Sequence, residues 1–82
     1  MTGRRRDDGR VWEFAPGEYG KSEQGDWYAM TPAGLLAGLR NHEVVEHHDG
    51  TITVSPSILV TGGQDEAVSW HGYLELGSWR EV

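Results

Sequence analysis

Histidines and nearby carboxylates are the side chains in this sequence whose types could support metal chemistry. The residues concerned are His42, Glu43, Glu46, His47, His48, Asp49 and His71. Imidazole nitrogens and carboxylate oxygens are ligands that zinc, nickel and iron accept. No HExxH motif is present, so the spacing is not diagnostic. One alternative stays open: Glu46, His48 and the distant His71 could form the site of a metal-binding protein or a metal-dependent hydrolase.

The adjacent histidines His47 and His48 raise the question of whether both could bind one ion. The Asp49-Gly50 pair that follows them is typical of a two-residue hairpin turn, because glycine tolerates the positive φ that a type I′ turn requires. This turn predicts that His48 pairs with Thr51. Successive side chains of a strand point to opposite faces, so we expect the two imidazoles to diverge. One face would carry Val45, His47, Ile52 and Val54, and the other would carry Val44, Glu46, His48, Thr51 and Thr53.

Other catalytic signatures are weak. Glu46 and Glu75 are the carboxylate pair that merits inspection, but two acids in a small domain rarely face each other across a cleft. Ser57 and two further serines lie near histidines without a G-x-S-x-G motif, and TGGQ lacks the lysine of a phosphate-binding loop. Cysteine is absent, which excludes thiolate nucleophiles and disulfides. We therefore expect a noncatalytic protein without a cofactor.

Aromatic side chains and arginine give the strongest prediction of a site. Tyrosine, tryptophan and arginine dominate the energetics of interfaces, and this chain has more aromatic surface than one small core readily encloses. The predicted binding surface consists of His71, Tyr73 and Arg80 on one strand pair, joined by Tyr19 and Trp27 from earlier segments. The alternative is that all of these residues pack in the core.

Short strands must position these side chains. RVWEF at 10–14 and DWYAM at 26–30 are predicted strands, and the APGEYGKSEQGD segment between them has the glycines and proline of a long loop. TPAGLLAGLRN at 31–41 is the only predicted helix, with Thr31 as N-cap and Pro32 at the first helical position. Because its two internal glycines weaken it, this helix would have to dock its leucines onto the sheet.

The C-terminal half predicts a second hairpin. Pro56 lacks a backbone donor and should mark a bulge or an edge, and TGGQDE at 61–66 should form a loop. A turn at Leu76-Gly77 would place Leu74 opposite Trp79, with Trp70 on the same inner face. The predicted fold class is α+β and mostly β: a curved antiparallel sheet or small, partly open barrel of about six short strands with one short helix.

Length and charge define the class of protein. The 82 residues suit one domain at 10–82, preceded by a flexible arm at 1–9 that contains three arginines. The net charge of −6 argues against nucleic acid as a partner. No apolar run is long enough to span a membrane, and the N-terminal residues lack the apolar stretch of a signal peptide. We expect a soluble, acidic protein in the cytoplasm.

The segments TITVSPSILV and SWHGYLELGSWREV carry a resemblance to a known group of sequences. Together they resemble a domain-of-unknown-function family of small proteins encoded by bacteriophages of actinobacteria and by prophages, with a PSI/L, WHG or CHG, aromatic and G-x-W pattern. The similarity covers 49–82 and, more loosely, TPAGLL. Many of the relatives have cysteines near the CH pair, where this chain has Trp70-His71. The resemblance implies a phage or actinobacterial origin and a β-rich fold, and it implies no activity.

These observations favour a small, non-enzymatic interaction protein. If it is phage-encoded, it would be a virion accessory protein or an inhibitor of a host factor, located in the host cytoplasm or incorporated in the virion. Its expected partner is another protein, and exposed sheet edges would permit self-association into a homo-oligomer.

Overall fold

Two four-stranded sheets make up the protein, which we describe from a computed structural model that covers residues 1–62 and 69–82. The N-terminal sheet contains, in spatial order, β1 (Arg4–Arg5), β2 (Glu18–Lys21), β3 (Trp27–Met30) and β4 (Leu36–Gly38). The C-terminal sheet contains β5 (Glu43–Glu46), β6 (Ile52–Thr61), β7 (Ser69–Glu75) and β8 (Ser78–Glu81). A 3₁₀ turn spans Val11–Glu13. The mostly β class is confirmed, whereas one closing sheet of about six strands with a helix is wrong.

The core lies between the two sheets. Its members are Tyr19, Ala29, Ala37 and Leu39 from the N-terminal half and Ile52, Val54, Ile58, Trp70, Leu74 and Trp79 from the C-terminal half. The predicted inner face of the last hairpin is confirmed, since Trp70, Leu74 and Trp79 are all buried and Leu74 pairs with Trp79. The two indole rings meet edge to face at 5.3 Å between centroids. Nε1 of Trp79 also donates to the carbonyl oxygen of Gly17 at 2.9 Å, which joins the sheets through a buried hydrogen bond.

The predicted helix at 31–41 is wrong, because this segment forms a tight turn and the strand β4. Oγ1 of Thr31 accepts a hydrogen bond from the amide of Leu35 at 3.1 Å, across the turn and one residue beyond the amides that an N-cap side chain would reach. The amide of Thr31 in turn donates to the Leu35 carbonyl at 2.9 Å, which closes the β3–β4 hairpin. Gly34 between them has a φ of +83°, a left-handed conformation that stops helix propagation. Ala37 then pairs with Ala29 and faces the core.

The segment 10–26 also differs from the prediction. RVWEF forms the single 3₁₀ turn rather than a strand, and it buries Val11 and Phe14. The predicted long loop contains β2, which pairs with β3. Glycine is common in loops, but Gly20 lies within β2. A Cβ at this position would overlap the carbonyl oxygen of Arg6 and approach the Phe14 ring at 3.3 Å. Close packing explains this glycine, and a turn does not.

Residues 1–9, expected as a flexible arm, are placed by the structure along both sheets. The amide of Gly3 donates to the carbonyl of Gly77 at 2.7 Å, and Thr2 forms a bridge with Ser78 beside β8. Two residues later, β1 pairs in parallel with β2. We call Met1–Arg5 the N-terminal strap, because it leaves the edge of one sheet and joins the other. These contacts are made by backbone groups, which every residue type carries, so the polar side chains of residues 1–9 do not indicate them.

The hairpin around Asp49-Gly50 reverses the chain where predicted, but its register is displaced by one residue. Glu46 pairs with Ile52 instead of Thr53. The loop has three residues rather than two: the amide of His47 donates to the Thr51 carbonyl at 2.8 Å, and Gly50 has a φ of +88°. Oδ1 of Asp49 stabilises this wider loop by accepting from both the amide and the hydroxyl of Thr51. A shift of one residue exchanges the predicted faces of β5, so Val44 packs against the core and Val45 is exposed.

The long strand β6 changes register at Pro56. Its pairing with β7 shifts between Val54 and Ile58, which confirms the predicted bulge. Beyond the bulge, Ile58 pairs with Gly72 and Leu59 with His71. Of the predicted loop at 61–66, residues 63–66 lie outside the described residues.

Candidate binding surface

The solvent side of the C-terminal sheet brings together three of the five predicted site residues. His71 and Tyr73 alternate on β7 with core residues, and Arg80 pairs with Tyr73 from β8. Leu59 lies opposite His71 on β6 with 66% of its surface exposed. We call the surface formed by Leu59, His71, Tyr73 and Arg80 the outer face. It is an antiparallel sheet surface with one aromatic ring, one guanidinium and an exposed aliphatic side chain.

A cation–π contact organises the centre of the outer face. The guanidinium carbon of Arg80 lies 4.4 Å from the centroid of the Tyr73 ring. Nη2 of Arg80 is also 3.1 Å from Oε1 of Glu75, and both of these side chains are more than half exposed. An exposed ion pair of this kind contributes little to stability. Arg80 is therefore held over the ring while its hydrogen-bond donors stay available to a partner carboxylate.

His71 is positioned by a serine. Its Nε2 is 2.8 Å from Oγ of Ser57, across the β6–β7 pair. A serine and histidine at this distance also occur in nucleophilic sites, where a third group orients the base. Within the described segments, no side chain makes a hydrogen bond to Nδ1 of His71. The hydrogen bond fixes the imidazole on the exposed side of β7.

Tyr19 and Trp27, the other two predicted site residues, are not on the outer face. Tyr19 pairs with Ala29 and is only 2% exposed, so it is a core residue, and burial raises the pKa of its hydroxyl. Trp27 is half-buried against the core, with the guanidinium of Arg5 at 5.3 Å and the ammonium of Lys21 at 5.1 Å from its ring centroid. Aromatic residue type alone did not distinguish core tyrosine from surface tyrosine.

Arg5 is the charged centre of the junction between the sheets. Its Nη1 lies 2.5 Å from Oε2 of Glu46 and donates to the Gly50 carbonyl at 3.0 Å, and its Nε lies 2.7 Å from Oδ1 of Asp7. The hydrogen bond and charge of Arg5 lower the pKa of Glu46. A cleft of about 450 Å³ opens beside this junction, and its walls consist of Gly3, Arg5, Asp7, Tyr19, Asp49, Gly50 and Thr51. Because Arg5 is satisfied within the chain, the cleft offers no free cationic group.

The residues of the metal alternative have other partners. Glu46 is bonded to Arg5, His71 is bonded to Ser57, and His48 lies exposed in the hairpin loop. Among residues 1–62 and 69–82 no three histidine, aspartate or glutamate side chains form a group that could hold a metal ion. The geometry therefore gives no support to a site made of Glu46, His48 and His71.

The sequence did not indicate Leu59 as a member of the outer face, or Ser57 as the residue that positions His71. Leu59 lies in the apolar run SILV, where hydrophobicity gives no indication of which side chain is exposed. The exposure of Leu59 follows from its position in the sheet. Leu59 pairs with His71, so alternation of side chains along the strands places both on the solvent side. Ser57 was considered only as a nucleophile, although its hydroxyl serves to orient His71.

Comparison with known proteins adds no further constraint. No protein-family model, curated protein or solved structure matches this chain. In the part of the chain that the structure describes, no helix has the length and apolarity needed to cross a bilayer.

Proposed function

We propose that this protein is a non-enzymatic binding module that recognises a protein partner through its outer face. The observation that carries the proposal is the stack of Arg80 on Tyr73 at 4.4 Å, on a sheet surface that also exposes Leu59. Preorganised aromatic and arginine side chains are the usual centres of binding energy, because little rotamer freedom is lost when a partner packs on them.

The chemistry of the outer face defines the kind of partner. Leu59 and the Tyr73 ring provide an apolar contact, and Arg80 provides donors for a carboxylate beside it. Arg80 and Glu75 offset each other, so this surface is close to neutral in a chain of net charge −6. The expected partner is a folded protein whose contact surface combines an apolar centre with an acidic side chain that replaces Glu75 at Arg80.

The resemblance of the C-terminal half to small phage proteins supports a phage setting for this module. In that setting it acts as a virion accessory protein or as an inhibitor of a host factor. Either function requires recognition of another protein and no chemistry, in agreement with a face built for contact.

The test combines site-specific crosslinking with competition. A photoreactive phenylalanine analogue at His71 is expected to give a discrete adduct in lysate of the natural host, and the same group at Trp12, which is 67% exposed on the 3₁₀ turn, should not. Unlabelled wild-type protein should suppress the adduct. The Tyr73→Ala, Arg80→Ala double variant should compete at least about 30-fold less well, as expected for loss of a hot spot.

The matched control removes an exposed arginine and an exposed aromatic ring from a different surface. The Arg10→Ala, Trp12→Ala variant loses one arginine and one aromatic ring outside the outer face, and it should compete as well as wild type. Circular dichroism checks that both double variants stay folded. Equal competition by the Tyr73, Arg80 variant and the wild type would refute the proposed surface.

A further inference from the structure

The second half of β6 has a partner strand on one side only. β5 pairs with β6 from Ile52 to Ser55, whereas β7 continues to pair as far as Thr61. Within the described residues, no strand lies on the β5 side of Ile58–Thr61. We call this segment the open edge. Among the residues that the structure describes, the backbone groups of Ile58–Thr61 that point away from β7 thus have no strand partner, and unpaired groups of this kind can pair with another strand.

The other edges are protected by features that the open edge lacks. The N-terminal strap bridges to β8 at Ser78. β5 begins and ends with exposed glutamates, Glu43 and Glu46, and β4 has only three residues. Charged side chains and short strands are the usual devices against edge-to-edge association. Ser57 and the whole open edge carry no charge.

We propose that the open edge pairs with the same segment of a second copy of this chain. A two-fold axis makes such a pairing antiparallel, so each residue of the open edge faces another uncharged residue when the two segments pair along their full length. Two copies with a net charge of −6 each repel one another, and contact is least unfavourable through a neutral segment. Leu59, exposed in the single chain, would then pack beside its symmetry mate or a neighbouring apolar residue.

This pairing goes beyond the proposed function, because it adds a surface that does not depend on Tyr73 or Arg80. It would join two C-terminal sheets into one continuous eight-stranded sheet, with both outer faces on the same side. A pair of four-residue edges buries less than the roughly 800 Å² per partner of a standard stable interface. The dimer should therefore be weak and dissociate on dilution, and added salt should strengthen it by screening the repulsion between copies.

Sedimentation equilibrium over micromolar to submillimolar concentrations tests the association. The wild-type chain should shift from monomer towards dimer, and more so at high salt. Leu59→Lys places two like charges across the two-fold axis and should weaken the association at least about tenfold. Leu36→Lys makes the same change at an exposed leucine on β4 of the other sheet and should leave the association constant intact.

Single cysteines provide a second, independent test, because the native chain has none. Under mild oxidation, Leu59→Cys should form a disulfide-linked dimer in several-fold higher yield than Leu36→Cys. The Tyr73→Ala, Arg80→Ala variant should dimerise like wild type, which separates this inference from the binding of a partner. A wild-type chain that stays monomeric at the highest concentration, or equal crosslinking at positions 59 and 36, would overturn the proposal.

Discussion

Trp79→Phe tests the contact that joins the two sheets. The indole Nε1 donates to the Gly17 carbonyl at 2.9 Å in the core, and a phenyl ring cannot replace this donor. The Gly17 oxygen keeps a second donor, the amide of Arg4 at 3.2 Å, so the loss is that of one ordinary hydrogen bond, about 1 kcal/mol. The smaller ring forfeits burial and edge-to-face contact with Trp70 worth about 1–2 kcal/mol more.

The expected total is therefore a loss of about 2–3 kcal/mol in the free energy of unfolding. A domain of 82 residues has about 4–12 kcal/mol in all, so the change is large. Urea titration followed by far-ultraviolet circular dichroism measures it: with a slope near 1 kcal/mol per molar urea, the midpoint should fall by about 2–3 M. Trp12→Phe changes an exposed ring and should stay within about 0.5 kcal/mol of wild type. If the two variants have equal midpoints, the buried hydrogen bond is not what holds the sheets together.

Two further predictions concern packing and charge. A Cβ at Gly72 would overlap the carbonyl oxygen of Arg80, so Gly72→Ala should destabilise the fold by about 2–3 kcal/mol. A Cβ at Gly38 would meet no atom nearer than 3.5 Å, so Gly38→Ala should be neutral or stabilising by up to about 1 kcal/mol. Equal shifts of the urea midpoint in the two variants would contradict this contrast. Arg5 lowers the pKa of Glu46 from its usual 4.5, so the ion pair contributes stability above that value and loses it as the pH falls through the lowered pKa. Wild type should therefore exceed Glu46→Gln in stability at about pH 7 and match it at about pH 2, and a difference that is the same at both pH values would count against the pair.

The C-terminal hairpin could be predicted in detail because its signals agree with one another. Strict alternation of Trp70, Gly72 and Leu74 with polar residues fixes the inner face, and the turn at Leu76-Gly77 fixes the register. The same reasoning placed Tyr73 beside Arg80. Where pattern and turn chemistry point to the same pairing, the sequence is sufficient.

In the N-terminal half the strand predicted at 26–30 is confirmed as β3, but the other elements could not be predicted, because long-range contacts override their local signals. TPAGLL contains helix-forming residues and a threonine suited to an N-cap. In the structure, however, Gly34 adopts a left-handed conformation, and Ala37, which follows this segment, pairs with Ala29 in a strand. Gly20 indicated a loop, because its steric role depends on the Arg6 carbonyl and the Phe14 ring, which only the folded structure brings against β2. Propensity describes only neighbours along the chain.

The hairpin at Asp49-Gly50 illustrates the limit of turn rules. The Asp49-Gly50 dipeptide specifies a reversal of the chain. The Asp49 carboxylate, however, accepts hydrogen bonds from Thr51, and the loop is one residue longer than predicted. That single step places Val44, instead of Val45, on the same face as Ile52 and Val54. The candidate site was only partly predicted for a related reason: burial separates Tyr19 from Tyr73, and burial is decided by the packing of one sheet on the other.

The bridge between Thr2 and Ser78 also determines when this chain is able to fold during its synthesis. Thr2 is synthesised at the start of translation, and its partner Ser78 in β8 is synthesised dozens of residues later. At about 5–20 residues per second, the interval between them is several seconds. Throughout that interval the strap lacks its contacts with Gly77 and Ser78, and only its pairing with β2 can hold it. The two ends of the chain can therefore join the sheets only after synthesis has reached Ser78.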